Sequence, residues 1–180
     1  MELVSDIRYY IAKLRCKIKG SHQPMVAYYR GKGISIGEDC LICSNIATSE
    51  AFLISLGNNV TVASNVTFLT HDYSAHIVIP GTSDLYGRIT VGNNVFIGSN
   101  SVIMYGVTLG DNIVVAAGSV VTRSFTEPNV IIGGNPARVI GTWEGYRAKY
   151  ADKATPPGSE ISFSDLCRKL KESDQYLVKR

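Results

Sequence analysis

Histidine is the side chain best suited to move a proton near neutral pH, and the sequence has three of them, His22, His71 and His76. His71 directly follows a strand-like stretch, residues 65–70, and begins a long irregular segment, residues 71–88. A general base must be held within hydrogen-bond reach of the proton that it takes, so a rigid strand beside a mobile cover suits it. His71 is therefore the first candidate for a catalytic base, although a histidine at a strand end is more often structural.

Positive charge is scarce in the middle of the chain. The sequence has 180 residues and a net charge of +3, which gives no support to nucleic-acid binding. Residues 1–32 carry seven lysines and arginines against two acidic residues. Between residues 33 and 141 the cations are Arg88, Arg123 and Arg138, so an anion bound there has few partners to choose from.

A repeat of six residues runs through residues 89–122 and must position these groups. A return at six matches neither the helical period of 3.6 nor the strand period of 2. Short strands joined by tight glycine corners explain it, and stacked turns of such a β-helix bury one continuous aliphatic core. The aliphatic residues are Val91, Ile97, Ile103, Leu109, Val115 and Val121, and the glycines that follow three of them are Gly92, Gly98 and Gly110.

The same repeat occurs earlier in the chain, with two interruptions. The spacing from Ile42 to Leu56 is 14, two more than two hexads, which indicates a bulge. The spacing from Phe68 to Val91 is 23, seventeen more than one hexad, which predicts the loop over residues 71–88. Because one turn takes three hexads, about five turns are expected over residues 34–141. The early inward positions are Ile36, Ile42, Leu56, Val62 and Phe68.

Helices are predicted at both ends of the chain. Residues 1–33 should form a helix capped by Ser5 and an irregular segment from Gly20 to Gly33. The helix is expected to cover the open base of the strands, and contact with a membrane surface or an anionic glycolipid is the alternative. Its apolar stripe is Ile7, Tyr10, Ile11, Leu14 and Ile18.

The C-terminal tail, residues 142–180, is predicted to be helical. It should contain a helical stretch over residues 144–151, a turn at residues 155–158 and a second helix from about residue 164. No stretch of the sequence is long and apolar enough to span a bilayer, and no signal peptide is visible, so a cytoplasmic protein is the simplest interpretation. Cys40 and Cys43 form a CxxC pair without two further ligands at matching spacing, so Cys40 is expected in the core.

Three motifs on this repeat carry a resemblance. The hexads, with THDYSAH after the early turns and AAGSVVTR followed by GGNPARVI, resemble the hexapeptide-repeat acyltransferases, and within them the sugar and polysaccharide O-acetyltransferases such as galactoside and maltose acetyltransferases. The likeness covers residues 34–141. It implies an all-β fold, a left-handed parallel β-helix with short terminal helices, although parallel crossovers are usually right-handed. It also implies a homotrimer with active sites between subunits.

By this resemblance, His71 matches the histidine that deprotonates an acceptor hydroxyl. The oxygen then attacks the thioester of acetyl-CoA directly, with no metal and no covalent enzyme intermediate. Asn45 is the candidate for an asparagine that the family places nearby, and Glu50 also comes from the preceding turn. Both residues lie between Ile42 and Leu56, where the interrupted repeat does not fix their alignment.

Substrate-binding residues also follow from the resemblance. A sugar-like acceptor should meet the loop, where tyrosines can stack on a sugar face and polar groups can bond its hydroxyls. The acceptor candidates are Asp72, Tyr73, His76, Tyr86 and Arg88. The donor candidates, in a groove between subunits, are Phe96, Ser99, Ala117, Thr122, Arg123 and Arg138.

Other functions stay open on the sequence alone. Antibiotic-modifying or amino-sugar N-acetyltransferases share the same body. A zinc carbonic anhydrase on this fold would use three histidines, but His22 precedes the first clear hexad and should lie away from His71. A non-catalytic repeat scaffold would not need a histidine at the root of the loop.

Overall fold

The computed structural model describes residues 2–154 together with residues 165, 167, 168 and 171. The chain divides into two compact units, Met1–Gly141 and Thr142–Arg180. The predicted turn at residues 155–158 lies outside the described residues, and so do the bounds of the predicted second C-terminal helix.

Short β-strands form the body of the first unit, as the six-residue repeat predicts. Most of them have two or three residues, because each hexad supplies one strand and one corner. The described strands are β1 (Ser35–Ile36), β2 (Leu41–Ile42), β3 (Ile54–Leu56), β4 (Thr61–Val62), β5 (Thr67–Phe68), β6 (His71–Asp72), β7 (Leu85–Tyr86), β8 (Ile89–Val91), β9 (Phe96–Ile97), β10 (Val102–Ile103), β11 (Thr108–Leu109), β12 (Ile113–Val115), β13 (Val120–Val121), β14 (Val130–Gly134) and β15 (Ala137–Thr142).

These strands form three stacked sets and one hairpin. The first sheet has the order β1-β3-β8-β11, the second β15-β14-β12-β9-β4-β2 and the third β13-β10-β5. From β3 onward the chain visits the first, second and third sheets in turn and then repeats the cycle. Thr90 pairs in parallel with Thr108, so one complete turn takes 18 residues, or three hexads. Between two neighbouring strands of one sheet, from β3 to β13, the chain therefore passes through one strand of each of the other two sheets.

The two interruptions of the repeat appear as predicted. Ser35 pairs with Ser55, a spacing of 20 that contains the two-residue bulge. Ser55 pairs with Thr90, a spacing of 35 that is seventeen more than one turn. The longer insertion is more ordered than the predicted loop, because β6 and β7 form an antiparallel hairpin that encloses a short helix, α3 (Ala75–Val78).

The inward positions of the repeat form the core. All eleven predicted aliphatic and aromatic positions are buried, from Ile36 in the first turn to Val121 in the last. Each side chain meets its equivalents in the turns above and below, so the hydrophobic stabilisation depends on stacking and not on any single turn. Cys40 belongs to the same core, as predicted, and burial raises the pKa of its thiol.

Asparagines occupy many of the corners between strands. Six of them adopt positive φ, a conformation that asparagine tolerates better than branched residues do. Their side chains also bond from turn to turn: Asn59 Nδ2 donates to Asn94 Oδ1 at 2.9 Å, and Asn94 Nδ2 donates to Asn112 Oδ1 at 3.0 Å. This ladder ties the corners together on the outside of the core.

Replacing Gly57 by alanine should destabilise the stack. A Cβ at Gly57 would lie 2.6 Å from the carbonyl oxygen of Gly92 in the next turn, a backbone atom that cannot rotate away. Overpacking of this kind lowers the free energy of unfolding by about 1–3 kcal/mol. Urea denaturation at fixed protein concentration measures it. Gly31→Ala is the matched control, because a Cβ there meets nothing within 4 Å, and equal midpoints for the two variants would contradict the expected crowding.

The N-terminal helices differ from the prediction in three respects. Helix α1 (Glu2–Lys19) begins before Ser5, so Ser5 is not its cap. Residues predicted to be irregular form helix α2 (Gln23–Gly31), which has a proline in its first turn. The base of the strands is covered by α2, whose Tyr29 donates its hydroxyl to the carbonyl oxygen of Ser44 at 2.9 Å, and burial raises the pKa of that hydroxyl.

The predicted apolar stripe of α1 does not cover the base of the strands. Its residues are all exposed, and α1 contacts the rest of the unit through its other side, where Ala12 is buried. On that side, the Tyr9 ring packs edge-to-face on the Tyr28 ring of α2, with centroids 5.8 Å apart. In the second unit, α4 (Trp143–Tyr150) agrees with the predicted helical stretch, and Thr142 caps it by accepting a hydrogen bond from the Gly145 amide.

Candidate active site

His71 lies where the third sheet gives way to the hairpin. It is the first residue of β6, three residues after β5 ends at Phe68. Its Nδ1 lies 2.9 Å from Oε2 of Glu50, and 45% of the His71 side chain is exposed, against 17% for Glu50. An ionised carboxylate only accepts hydrogen bonds, so Nδ1 carries the proton and Nε2 presents its lone pair. A histidine held in this way can take a proton from a bound molecule.

Glu50 is held by two further hydrogen bonds. Its Oε2 accepts the hydroxyl of Thr70 at 2.8 Å and the hydroxyl of Thr48 at 3.2 Å. The bond from Thr70 is the main cause that holds the pKa of Glu50 below its usual range, and the bond from His71 adds to it. The carboxylate is therefore ionised at neutral pH and fixed in position before any substrate arrives.

The residue beside His71 is thus Glu50 and not Asn45, the residue predicted from the sequence. Asn45 is exposed, and no hydrogen bond joins it to His71 in the described residues. The reason is the two-residue bulge. In the first turn it replaces the strand of the third sheet by a 3-10 helix, Ala51–Leu53, and Glu50 immediately precedes that helix. A catalytic role for Asn45 stays a prediction.

Asp72 fastens the hairpin to the strands. Its Oδ2 accepts the hydroxyl of Tyr105 at 3.0 Å, and its Oδ1 accepts the amide of Ser74 at 2.9 Å. Hydrogen bonds from Ser74, followed by that from Tyr105, lower the pKa of Asp72, and the bond to Asp72 raises the pKa of Tyr105. Both carboxylate oxygens thus have partners within the chain, and contact of Asp72 with an acceptor stays a prediction.

Tyr105 was not among the residues singled out from the sequence. It follows the inward Ile103 by two positions and is half-buried. Nothing in the spacing of Tyr105 and Asp72, 33 residues apart, indicates that they meet.

Among the other acceptor candidates, Tyr86 lies beside His71, whereas Tyr73 and His76 contact each other. Tyr86 pairs with His71 across the hairpin, with ring centroids 5.9 Å apart. Tyr73 stacks on His76 with centroids 4.0 Å apart, and the backbone carbonyl of Tyr73 contacts Nδ1 of His76. Tyr73, His76, Tyr86 and Arg88 are all exposed. The hairpin therefore presents two exposed tyrosines, and Tyr86 is the one beside His71.

Two donor candidates, Thr122 and Arg123, lie at the same end of the third sheet as His71. Phe68 and Val121 both pair with Ile103, so the residues after β5 and after β13 leave the same end of the sheet, two strand spacings or about 10 Å apart. Thr122 and Arg123 directly follow β13 and are exposed. The guanidinium of Arg123 lies 4.9 Å from the centroid of the Phe125 ring, which restricts its position.

The remaining donor candidates lie on the second sheet or at the corner that follows it. Phe96 in β9 is exposed, and Ser99 and Ala117 belong to stacked corners, where the Gly118 amide donates to the carbonyl oxygen of Ser99 at 2.8 Å. Arg138 in β15 is exposed, and its Nη1 donates to the carbonyl oxygen of Ala137 at 2.8 Å. The six candidates thus occupy two regions of one chain, and their role in donor binding stays a prediction.

Within one chain, the three histidines are not grouped so as to hold a metal ion. His71 bonds Glu50, His76 contacts Tyr73, and His22 precedes α2 at the base of the strands. In the part of the chain that the structure describes, no three His, Cys, Asp or Glu side chains are grouped so as to hold a metal ion. The carbonic anhydrase hypothesis required all three histidines at one place, and this arrangement does not provide it.

Comparison with known proteins agrees with the repeat. The model of a protein family described as "hexapeptide repeat of succinyl-transferase" matches residues 33–69 and 88–123, the two runs of strands on either side of the hairpin. Protein CapG of Staphylococcus aureus is 48% identical over 130 residues, which cover 69% of this chain and 75% of CapG. Galactoside O-acetyltransferase of Escherichia coli (strain K12) is 40% identical over 119 residues, 66% of this chain and 58% of that protein. The chain thus spans less than two thirds of the latter.

A solved structure shares the fold. The hexapeptide-repeat-containing acetyltransferase of Vibrio cholerae O1 biovar eltor, crystallised in complex with acetyl-coenzyme A, aligns with a TM-score of 0.54 and 31% identity. The alignment covers 62% of this chain and 61% of that one. Repeat, fold and sequence similarity agree, and this chain belongs to the family of hexapeptide-repeat acetyltransferases.

Proposed function

We propose that this protein is an acetyl-CoA-dependent O-acetyltransferase that acetylates a hydroxyl group of a sugar, a nucleotide sugar or a polysaccharide intermediate. The observation that carries the proposal is the pair of His71 and Glu50, 2.9 Å apart at the open end of the third sheet. Membership of the acetyltransferase family supports acetyl-CoA as the donor of the acetyl group. The exposed tyrosines of the hairpin support a sugar-like acceptor, because aromatic rings stack well on the apolar faces of sugars.

In the proposed reaction, Nε2 of His71 takes the proton of the acceptor hydroxyl as its oxygen attacks the thioester carbonyl of acetyl-CoA. A C–O bond forms, and the tetrahedral intermediate then breaks its C–S bond. The leaving thiolate takes the proton back from the imidazolium, so that free CoA and the acetyl ester are released. The Glu50 carboxylate stays ionised, accepts a hydrogen bond from Nδ1–H of His71 throughout, and stabilises the imidazolium while it exists.

The donor groove is part of the same proposal. We place acetyl-CoA between two subunits of a homotrimer, in which each chain is a left-handed β-helix, as in the family. The donor candidates lie in two regions, one at the end of the third sheet and one on the second sheet. This supports the arrangement, because one subunit can supply Thr122 and Arg123 while its neighbour supplies Phe96 and Arg138. Sedimentation of the protein as a monomer would contradict the shared groove.

Reversing the charge of Arg138, by Arg138→Glu, should raise the Michaelis constant for acetyl-CoA. The exposed guanidinium is available to the phosphates of CoA. A charge-assisted hydrogen bond contributes about 1.5–3 kcal/mol, so its loss should raise the Michaelis constant roughly ten- to hundredfold. Initial rates at varied acetyl-CoA measure it. Arg30→Glu is the control, because Arg30 pairs with Glu38 near the base of the strands. An unchanged constant would remove Arg138 from the phosphate site.

The proposed function is tested by the release of free CoA thiol from acetyl-CoA. The acceptors should be a panel of sugars, nucleotide sugars, amino sugars and chloramphenicol, each assayed with and without enzyme. Release that depends on a hydroxyl acceptor, with an acetyl ester found in the product by mass spectrometry, is the expected result. Transfer only to amines or to chloramphenicol would replace the proposed acceptor, and failure to bind acetyl-CoA at all would overturn the proposed activity.

A further inference from the structure

Helix α1 is amphipathic, and its apolar face turns outward, away from the core of its unit. At about 100° per residue, the five side chains of its predicted apolar stripe share one face about 100° wide. All five side chains of this apolar face are exposed: Ile7, Tyr10, Ile11, Leu14 and Ile18. The opposite face packs against the protein through Tyr9, Ala12 and Cys16. The chain therefore holds α1 by its less apolar side and presents its more apolar side outward.

Basic residues flank the apolar face on both sides. Arg8, Arg15 and Lys19 lie along one border, and Lys13 and Lys17 along the other. Residues 7–37 contain seven lysines and arginines and no aspartate or glutamate. None of the five basic residues of α1 forms an ion pair with a carboxylate in the part of the chain whose side chains are described. Among the described side chains, the flanks are thus positive charge without a carboxylate partner, beside an apolar stripe.

We propose that α1 is an interfacial helix that binds this protein to an anionic membrane surface. A helix of this kind lies in the plane of the membrane, with its apolar face among the acyl chains and its lysines and arginines extended to the phosphates. The charge decides for a membrane over a second copy of the chain, because pairing two α1 faces would bring the basic flanks of both together. No described helix has the length and apolar character needed to span a bilayer.

Vesicle sedimentation tests the proposal on the full chain. The protein should pellet with phosphatidylcholine vesicles that contain phosphatidylglycerol, and less with pure phosphatidylcholine or at high salt. The double variant Leu14→Gln/Ile18→Gln should lower the partition coefficient by about tenfold or more, since two apolar side chains no longer enter the acyl region. Ile77→Gln is the matched control. Ile77 and Ile18 are each 75% exposed, but Ile77 lies on the hairpin.

A charge variant separates attraction by lipid phosphates from simple hydrophobic adsorption. Lys13→Glu/Lys17→Glu should abolish the preference for vesicles with phosphatidylglycerol while the thermal midpoint stays that of the wild type, because both residues are exposed. The proposal is overturned if the wild type does not pellet with these vesicles at low salt, or if the double apolar variant binds them as well as the wild type does. It is also overturned if that variant lowers the sedimentation coefficient without lipid, since the apolar face would then be an interface between copies.

Discussion

Replacing His71 by alanine should lower kcat/KM for the acceptor by a factor of about 10²–10⁴, the usual contribution of a positioned general acid–base group. Without the imidazole, the acceptor hydroxyl must lose its proton to water. The side chain is 45% exposed, so its removal leaves no buried cavity, and the thermal midpoint should stay close to that of the wild type. Steady-state release of CoA thiol measures the loss.

His22→Ala is the matched control for this experiment. His22 precedes α2 at the base of the strands and makes no side-chain capping bond there, so its removal should leave the rate near that of the wild type. An added test is His76→Ala, which removes the ring stacked on Tyr73 and should act on the Michaelis constant of the acceptor more than on kcat. A His71→Ala enzyme that keeps full activity would rule out His71 as the base.

Glu50→Gln should lower kcat by about 10- to 100-fold and leave the Michaelis constant for acetyl-CoA unchanged. Glutamine keeps the size of the side chain and a carbonyl acceptor, but it removes the negative charge that stabilises the imidazolium of His71. Glu50 acts through His71 and does not touch the substrate in the proposed reaction, so it is a positioning residue. A purely structural role would lower the thermal midpoint without this division between kcat and the Michaelis constant.

Two comparisons make the Glu50 result interpretable. Glu38→Gln is the matched control, because Glu38 is an exposed carboxylate paired with Arg30, and we expect wild-type rates from it. Glu50→Asp restores the charge on a shorter side chain and should recover part of the lost activity. Equal rates for Glu50→Gln and the wild type would remove Glu50 from the mechanism.

The lowered pKa of Glu50 also predicts how stability depends on pH. A carboxyl group whose pKa is lower in the folded state than in the unfolded state stabilises the fold above its unfolded pKa. That stability is lost as the pH falls through the lowered, folded pKa. The difference in thermal midpoint between the wild type and Glu50→Gln should therefore be largest near neutrality and shrink in acid.

The repeat, the core and the candidate base could be predicted from the sequence. Each hexad carries its own inward residue and its own corner, so the fold is specified locally and repeated, and Val91 and Val121 obey the same rule as Ile36. His71 was identifiable because it stands where the repeat stops. The two insertions were visible as breaks of fourteen and twenty-three residues in the same count.

Contacts between distant insertions could not be predicted in this way. Inside the bulge the periodicity is lost, so nothing in the sequence shows that Glu50, and not Asn45, reaches the end of β5 one turn later. The same holds for the bond between Asp72 and Tyr105. Both contacts depend on the stacking of turns, which brings residues 21 and 33 positions apart side by side.

The sequence by itself determined the amphipathic character of α1, the six-residue period and the place of His71, because each is written in the spacing of nearby residues. Only the tertiary structure decided which face of α1 turns outward. The apolar stripe predicts burial on average, but α2 already covers the base through Tyr29, so α1 packs by Ala12 and its stripe stays exposed. Which surface is left for α1 to pack on is a property of the folded chain and not of either helix alone.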